Sequence, residues 1–571
     1  MRSQKRRSRL RSLFVTSIGC GKPGGSVEEK GGHAEWTVKK KGEPQGSLVQ
    51  VTPVLSFIGV HVFAAWWHQH EGMSAVIPLL QHAIDTYRTQ HPDDDFPLLH
   101  HREQTLRRRF QALVFAPLLG IETLTAFDTQ EHPLQTLLGR GYHSATLTQF
   151  LGQLERIDAA GALLPALVPQ PVGQIAYVDG HMIAYWSRVP MHKGKMTMLG
   201  RIMAGSQAVI THNDAGQGLF VEYHPPDQHL SQFIVAYCQK VALATGLSVF
   251  VIDRAVNALA LARAFAQQDF GLLCMLDDNE HHGLESFEAT LEETRKDGTK
   301  VYSGPWKLPR ADDPRHFVIV EPVEGKTLVY WGTPRVKATV EPTAWPHVYR
   351  ERSERQENSF KRMIDHGALN TNYGRKKIIG ADRHQQRVRE HLAHALEAAQ
   401  KRVEKQGKEI KTQQGKVVES ASKGHGKRLE QRQRTLAVLE KAHQEAQHKH
   451  GRLAAQAAAV GPPGERADRD FRKQTIMTVR TLLLENALMS FMAMLLGGLK
   501  TKVSLDCLLK LLFARSGARM ETATQVVYWI NTAGLSVPYH RLLAEVVDGL
   551  CAMDLREQGK PIHVRLKTMP P

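Results

Sequence analysis

Two aspartates stand at the points where apolar, β-rich stretches end. Asp179 closes the stretch IAYVD and is followed by Gly180, and Asp253 closes SVFVID and is followed by Arg254. Sheets in α/β proteins place working side chains just beyond the carboxyl ends of their strands. One aspartate in such a place is commonly a turn cap. Two of them on strands of one sheet favour a shared site.

A third carboxylate is expected from a helix that docks beside this sheet. The segment Tyr349–Asn370 has a helical pattern and carries Glu351, Glu354 and Glu357 near its start. Two aspartates and one glutamate supply the hard oxygen ligands that a pair of Mg²⁺ ions needs. One ion then activates a nucleophile, and the other stabilises the leaving oxygen of a phosphodiester. The residue types therefore predict metal-assisted phosphodiester chemistry.

Three local signatures in this region resemble those of the DDE transposases of bacterial insertion sequences. They are YVDGH at Tyr177–His181, VIDRA at Val251–Ala255, and RQENSFKRMIDHGALNTNYG at Arg355–Gly374. The order Asp, Asp, Glu agrees with the family, at separations of 74 and 104 residues, and the similar region covers 172–380. The resemblance implies a ribonuclease H-like catalytic domain. It also implies that Asp179, Asp253 and Glu357 are the catalytic residues and hold two Mg²⁺ or Mn²⁺ ions.

The chain departs from the commoner insertion-sequence pattern Tyr-x2-Arg-x3-Glu-x6-Lys. Tyr349 and Arg352 fit its first two positions. Gln356 then occupies the position of the glutamate, so the register slips by one residue. The slip leaves the identity of the third carboxylate open between two residues.

Glu354 and Glu357 compete for this third position. Glu354 fits part of the pattern, with basic residues before and after it. We prefer Glu357, because Phe360 lies three residues on and can pack inward, and Lys361 lies four residues on along the same helix face. A solvated, salt-bridged helix face is the remaining alternative.

Basic residues around the three signatures are candidates for contacts to DNA phosphates. The predicted set is Arg254, Arg352, Arg355, Lys361, Arg362, Arg375, Lys376 and Lys377. A charged helix face explains several of them nearly as well, and Arg254 fits a pairing with a nearby acid. His181, two residues after Asp179, is a candidate for a hydrogen bond that orients a metal ligand, or for one that closes a turn.

The resemblance implies a DNA transposase that cleaves DNA at the ends of a mobile element and transfers those ends to target DNA. A freed 3′-OH attacks the target strand in line, with no covalent enzyme intermediate and no nucleotide hydrolysis, and the sequence has no P-loop pattern. The implied partners are double-stranded DNA and a second copy of the chain, since two DNA ends must be paired. A ribonuclease H-like nuclease without strand transfer, and an inactive DNA-binding relic of a mobile element, are the alternatives.

The elements that position these residues predict an α/β fold with a mixed sheet in 171–380. The predicted strands and helices before and after Asp253 are Ile175–Trp186, Thr197–Thr211, Gly218–Tyr223, Leu230–Thr245 and Ala255–Gln267. Residues 285–347 resemble a separate β-rich insertion, in which HFVIVEPV and KTLVYWG form a hairpin. The expected fold class is a ribonuclease H-like mixed sheet with this insertion, between helical N-terminal and C-terminal regions.

The flanking regions are predicted to be largely helical. Residues 1–45 form a basic arm with 11 Lys and Arg against 4 Asp and Glu, and with too few apolar side chains to fold. Residues 46–170 form a helical candidate DNA-binding domain. Within it, Leu134–Leu151 has a helix–turn–helix pattern with Ser144 as the cap of its second helix; a plain packing unit is the alternative. A charged helical hairpin (381–452), a linker (453–470) and a helical C-terminal domain (471–571) follow.

Composition limits the class of partner and the compartment. The net charge is +17 and the pI is near 9.6, which makes a polyanionic partner plausible. Five cysteines have no CxxC spacing, which argues against a disulfide framework and favours a reduced setting. We find no apolar run of about 18 residues, and the longest candidate, Ala487–Leu496, resembles a buried helix. We therefore expect a cytoplasmic, nucleoid-associated protein of a bacterium without a membrane partner.

Overall fold

The chain folds as a mixed α/β protein with a large central sheet, helical regions on either side of it in sequence, and a long helical hairpin. The computed structural model describes residues 50–568 apart from 71, 130, 197–198, 309–311, 375, 424–425, 463 and 502. This architecture confirms the predicted mixed α/β class, with its helical flanking regions and hairpin. The ribonuclease H-like assignment stays a prediction. The basic arm at 1–45 lies outside the described residues.

Ten strands form the central sheet, in the order β3-β4-β2-β6-β7-β11-β10-β9-β8, with β5 also paired to β4. Their bounds are β2 Ile175–Ala184, β3 Lys193–Met196, β4 Arg201–Asn213, β5 Gly218–His224, β6 Val249–Ile252, β7 Gly271–Met275, β8 Thr290–Thr294, β9 Lys300–Gly304, β10 His316–Glu321 and β11 Leu328–Gly332. Strands β2, β6 and β7 run parallel, and the other neighbours are antiparallel. Strands β6 and β7 are continuously apolar, as expected for parallel strands that are buried on both faces.

The β-rich region at 285–347 is an extension of this sheet. Strands β10 and β11 form the predicted antiparallel hairpin. Strand β11 also pairs with β7, which makes the whole region continuous with the parallel strands. The prediction of a separate β-rich piece was therefore wrong in its separation, although not in its strands. The apolar strand β11 pairs with β7, whose backbone N–H and C=O groups on that edge would otherwise have no strand partner.

Six helical segments cover the two faces of this sheet. They are α7 Ile234–Thr245, α8 Leu259–Gln267, α9 Pro334–Thr339, α10 Trp345–Arg352, a π-helical turn Ser353–Glu357 and α11 Asn358–Asp365. Helices α7 and α8 share a core with one face, where Phe250 and Phe265 are fully buried. Helix α10 packs on the opposite face through Trp345 and Tyr349. The region 171–380 thus has the layered arrangement that an α/β sheet requires.

The N-terminal and C-terminal regions form one unit. The N-terminal elements are β1 Gln50–Leu55, α1 Ile58–Gln69, α2 Val76–Gln90, α3 Glu103–Phe115, α4 Glu131–Leu138, α5 Ser144–Arg156 and α6 Ala159–Leu163. The C-terminal elements are α14 Arg472–Gly498, α15 Leu505–Phe513, β14 Gly517–Glu521, β15 Val526–Asn531, α16 Val537–Ala552, β16 Arg556–Glu557 and β17 Lys560–Lys567. Strand β1 pairs with β14 in a five-stranded sheet. The two regions also share one hydrophobic core, so the prediction of separate domains at 46–170 and 471–571 was wrong, and the second contains strands as well as helices.

Helix α14 links this unit to the central sheet. Most of its side chains from Ile476 to Leu488 are buried. Leu482 packs over Gly218 of β5, where an added Cβ would lie 2.4 Å from Leu482 Cδ2. By length and composition α14 could cross a membrane, which the sequence prediction did not anticipate, but 61% of its most apolar window is buried inside the fold. A core helix meets the same criteria of length and composition.

The helical hairpin is longer than predicted. Its helices are α12 Arg383–Ser422 and α13 Gly426–Ala459, and the strands at its base are β12 Lys377–Ala381 and β13 Glu465–Arg469. The predicted linker at 453–470 was therefore wrong, because α13 continues through its first part and β13 pairs with β12 in its last. Few hairpin side chains are buried, Ala399 and Ala446 among them.

The helix–turn–helix pattern at Leu134–Leu151 corresponds to α4 and α5. Residue His143 is the N-cap of α5, and Ser144 is already helical, so the predicted Ser144 cap was wrong. The backbone N–H and hydroxyl of Ser144 donate to the Asp128 carboxylate, which fixes the start of the helix. The buried face of α5 packs in the core that α14 shares. Reading of DNA by this helix stays a prediction.

Candidate active site

The two predicted aspartates stand next to each other at the sheet. Strands β2 and β6 are parallel, and their last paired residues are Val178 and Ile252. Asp179 and Asp253 are the residues that follow, so they lie side by side. The backbone N–H of Gly180 donates to Asp179 Oδ1, and that of Arg254 donates to Asp253 Oδ1, both at 2.8 Å. Each carboxylate thus accepts a hydrogen bond from the backbone amide of the residue that follows it.

A single guanidinium bridges these carboxylates. Arg352 Nη1 lies 3.4 Å from Asp179 Oδ2, and Arg352 Nη2 lies 3.5 Å from Asp253 Oδ1. The Tyr349 hydroxyl donates to Asp253 Oδ1 at 3.3 Å, and the Arg352 guanidinium lies 5.6 Å from the centre of the Tyr349 ring. Arg352 was predicted to hold a DNA phosphate, and the structure instead places it on the two acids. Tyr349 fits the sequence pattern, but no role at the site was predicted for it.

Helix α10 brings Tyr349 and Arg352 to the carboxylates because its first turn is anchored in the sheet. Trp345 is fully buried, and its indole N–H donates to the carbonyl of Val340 at 3.0 Å. Its ring lies over Gly332 at the end of β11, where an added Cβ would lie 2.7 Å from Trp345 Cη2. Close packing of this kind fixes the position and angle of the helix.

The π-helical turn explains the one-residue slip in the sequence pattern. Residues four and seven apart share a face of an α-helix, and Gln356 is four residues from Arg352 and seven from Tyr349. A π turn adds one residue to the helical repeat, and it therefore moves Glu357 onto the face that carries Tyr349 and Arg352. Gln356 is fully buried, and its amide has no hydrogen-bond partner among the described residues. In the sequence, this turn could have been found from the one-residue departure from the Tyr-x2-Arg-x3-Glu pattern.

Electrostatics tie Glu357 to the aspartates. Burial raises the pKa of Asp179 from its ordinary 3.8 to about 6. Arg352 opposes this rise in the pKa, while the negative charges of Asp253 and Glu357 add to it. Glu357, and not Glu354, is among the carboxylates that act on Asp179. This favours Glu357 as the third carboxylate.

His181 and Phe360 hold α11 beside β2. His181 Nε2 lies 2.7 Å from Asn370 Oδ1, and its ring stacks on Phe360 with centroids 5.3 Å apart. Burial lowers the pKa of His181. Phe360 is buried, which confirms that it packs inward. His181 thus acts in positioning the helix that follows Glu357, and no hydrogen bond from it to Asp179 is among the described contacts.

Four of the predicted DNA-binding cations form ion pairs with acidic side chains. Arg254 lies 3.6 Å from Asp277, Arg355 lies 3.4 Å from Glu351, Lys361 lies 3.2 Å from Asp506, and Lys376 lies 3.6 Å from Asp470. Their side chains are between 40% and 67% exposed. Surface pairs of this kind are weak, so their DNA contacts stay predictions.

The other predicted cations differ in position. Arg362 is buried and ion-paired with Glu485 of α14, which is also buried. The prediction that Arg362 binds DNA was therefore wrong, because a guanidinium inside the core cannot reach a phosphate. Lys377 is exposed at the start of β12. Arg375 lies outside the described residues.

The donor set suits a divalent cation by its chemistry. Asp179, Asp253 and Glu357 offer only carboxylate oxygens, which Mg²⁺ and Mn²⁺ prefer. The long contacts of Arg352 show that a positive charge is accommodated between the two aspartates. Among the residues that the structure describes, no cluster of three or more His, Cys, Asp or Glu side chains is arranged as a ligand set.

Comparisons of the chain with protein families and with curated proteins do not identify this site. No protein-family model matches the chain, and no curated protein matches it. The geometry of Asp179, Asp253, Arg352 and Tyr349 is therefore what supports a function.

Proposed function

We propose that this chain is a DNA transposase of the DDE type with a ribonuclease H-like catalytic domain. The observation that carries the proposal is that Asp179 and Asp253 lie side by side, each one residue beyond the parallel pairing of β2 with β6, and that the charge of Glu357 acts on Asp179. Acids placed together at the carboxyl end of a sheet, with a basic chain around them, suit a phosphodiester substrate. The proposed reaction is cleavage at the ends of a mobile element and transfer of those ends to target DNA.

Asp179, Asp253 and Glu357 would hold two Mg²⁺ or Mn²⁺ ions. Bound at three carboxylates, such a pair supplies Lewis acidity and charge for in-line displacement at phosphorus. Asp253 is oriented for this role by its turn amide and by the Tyr349 hydroxyl. Arg352 lies on both aspartates and offsets their mutual repulsion.

The protein contributes positioning and charge. Double-stranded DNA is the proposed substrate, and Lys377, Arg254 and Arg355 are exposed cations for its backbone. The attacking group is a water in the cleavage step and a DNA 3′-OH in the transfer step. One phosphodiester bond forms as another breaks, so nucleotide hydrolysis is not required.

Two DNA ends must be brought together, so a homodimer on DNA is part of the proposal. The hairpin α12–α13 carries 17 Lys and Arg against 8 Asp and Glu over 383–459. Two such arms repel each other and attract DNA. Analytical ultracentrifugation of the DNA complex tests this part, and a monomer on DNA would contradict it. A cytoplasmic, nucleoid-associated location in a bacterium completes the proposal.

The decisive experiment compares cleavage and joining by purified full-length protein. The substrate is labelled duplex DNA that includes the sequence flanking the reading frame, with a plasmid as target and Mg²⁺ or Mn²⁺ added. We expect cleaved and joined products from the wild type, and a loss of at least about a thousandfold for Asp179→Ala, Asp253→Ala and Glu357→Ala. Glu354→Ala is the matched control on the same helix and should retain activity within a few-fold.

Other outcomes separate the alternatives. Cleavage without joined product would favour a nuclease of the same fold. DNA binding without cleavage, unchanged by Asp179→Ala or Asp253→Ala, would favour an inactive relic. Equal losses for Glu354→Ala and Glu357→Ala would remove the distinction that the π-helical turn makes.

A further inference from the structure

A large aromatic side chain stands exposed just past the end of β2. Trp186 is 79% exposed, while Tyr185 before it is buried. Val189 and Ile202 nearby are 43% and 73% exposed. An exposed indole beside other exposed apolar side chains is suited to contact with another molecule. We call this region, with the cations described next, the Trp186 surface.

The Trp186 surface is strongly basic. Between Asp179 and Asp214 the sequence has four Lys and Arg and no Asp or Glu. With Lys377 of β12, the cations of this surface are Arg188, Lys193, Lys195, Arg201 and Lys377. All five are exposed, and among the described residues none of them forms an ion pair with an acid. Cations without acidic partners are free to neutralise an anionic ligand.

Two hollows adjoin Trp186, one on the basic side and one toward the catalytic carboxylates. The first has a volume of about 390 Å³, and its lining includes Trp186, Arg188, Lys377 and Arg469. The second has a volume of about 340 Å³ and extends from Trp186 to Gly180 and His181, the residues that follow Asp179. The surface therefore connects a basic, aromatic hollow with the neighbourhood of the candidate active site.

We propose that the Trp186 surface binds unpaired nucleotides of a DNA strand next to the scissile phosphate, with one base stacked on the Trp186 indole. This inference rests on the proposed function, because DNA is the substrate in both. An indole can stack only on a base whose flat face is uncovered. In duplex DNA the base faces are covered by the neighbouring base pairs, so the ligand is expected to be unpaired. The row of cations matches a phosphate backbone, whereas an apolar protein partner would not be matched by five unpaired positive charges.

The test measures binding of single-stranded DNA by full-length protein in EDTA, so that no cleavage occurs. The probe is a fluorescently labelled single-stranded oligonucleotide, with the matching duplex as comparison. Loss of one stacked base lowers affinity about 5- to 100-fold, and we expect this for Trp186→Ala with single strands. Trp186→Phe keeps an aromatic face and should bind nearly as the wild type does. Tyr539→Ala removes an aromatic that is 50% exposed on α16 and serves as the matched control.

The salt dependence gives a second readout. For single-stranded DNA, the slope of log K against log salt changes by about 0.7 for each phosphate contact. The double variant Arg188→Ala, Lys377→Ala should therefore reduce this slope by about 1.4 while the melting temperature stays unchanged.

The outcomes distinguish this inference from the proposed function. If the wild type cleaves duplex DNA and Trp186→Ala binds single strands as tightly as the wild type, only the Trp186 inference fails. If the wild type binds neither single-stranded nor duplex DNA, both fail. If Trp186→Ala changes self-association and leaves single-strand affinity intact, the surface is a contact between copies and the inference is wrong.

Discussion

Asp179 and Asp253 are 74 residues apart in the chain and one strand apart in the sheet. Each is the first residue beyond the parallel pair Val178 and Ile252. Two carboxylates so placed repel each other, and the Arg352 guanidinium offsets this repulsion from 3.4 and 3.5 Å. The predictions below follow from this cluster and from the helix that completes it.

Replacing Arg352 should make the protein more dependent on divalent ions. Arg352→Ala leaves two neighbouring carboxylates without their cation, so Mg²⁺ or Mn²⁺ gains a larger differential affinity for the folded state. We expect a lower melting temperature in EDTA, and a larger rise on adding Mn²⁺ than the wild type shows. Differential scanning fluorimetry measures both. Arg350→Ala, an exposed neighbour on α10, is the control, and equal Mn²⁺ responses in all three proteins would contradict the bridging role.

Stability should depend on pH through Asp179. The native pKa is raised to about 6 from its ordinary 3.8, so between these values the folded state binds more protons than the unfolded state does. The stabilisation that protonated Asp179 gives the folded state is therefore present at low pH, and it is lost as the pH rises through 6. The shift corresponds to at most about 3 kcal/mol. Asp179→Asn should gain stability relative to the wild type from pH 4 to pH 8 in EDTA, as measured by denaturant unfolding. A difference that does not change with pH would refute this.

Deleting Gln356 should be tolerated. Removal of one residue converts the π turn to α-helix and leaves Glu357 four residues from Arg352, on the same face. Met363 and the rest of α11 keep their orientation. We expect the unfolding free energy to change by about 1–2 kcal/mol and cleavage activity to persist. Deletion of Arg350 from α10 is the control: it rotates Trp345 by about 100° relative to Arg352 and should abolish activity. Equal damage from both deletions would contradict the assignment.

Arg362 and Lys361 should differ sharply although they are adjacent. Arg362→Ala leaves the buried carboxylate of Glu485 without its partner and should lower the free energy of unfolding by about 3–5 kcal/mol. Lys361→Ala breaks a surface pair with Asp506, with side chains 57% and 25% exposed, and should cost less than about 1 kcal/mol. Chemical denaturation measures both. The double variant Arg362→Met, Glu485→Leu should recover most of the loss. A small effect of Arg362→Ala alone would mean that the pair is hydrated.

Much of the site was predictable from local sequence. The strand predicted to end at Asp253 ends directly before that residue. The strand predicted to end at Asp179 instead continues to Ala184, because its second half pairs with β4, and only its parallel pairing with β6 stops before Asp179. Phe360 was expected inside and is buried. Arg362 was not predictable in the same way, because its partner Glu485 lies 123 residues further along the chain. A charged residue on an amphipathic helix has the same local pattern whether it meets solvent or a buried acid.

The C-terminal strands and the shared core were also missed for a physical reason. Strand β14 pairs with β1, more than 450 residues earlier in the chain, and no local period reveals such a pairing. The stretch 453–470 was taken for a linker because of its glycines and prolines, yet its last residues pair with β12. Backbone hydrogen bonding between distant segments is decided by which edges the fold brings together.

The amino-acid sequence by itself determined the residue types of the site, their order, and the apolar periods that make a mixed α/β sheet. Only the tertiary structure decided that β2 and β6 are neighbours, that Arg352 lies on the two aspartates, and that the helix has a π-helical turn at Ser353–Glu357. Local patterns fix which backbone shape is stable. The meeting of side chains far apart in sequence depends on packing between elements, where one added residue in a helix changes which side chain faces the sheet.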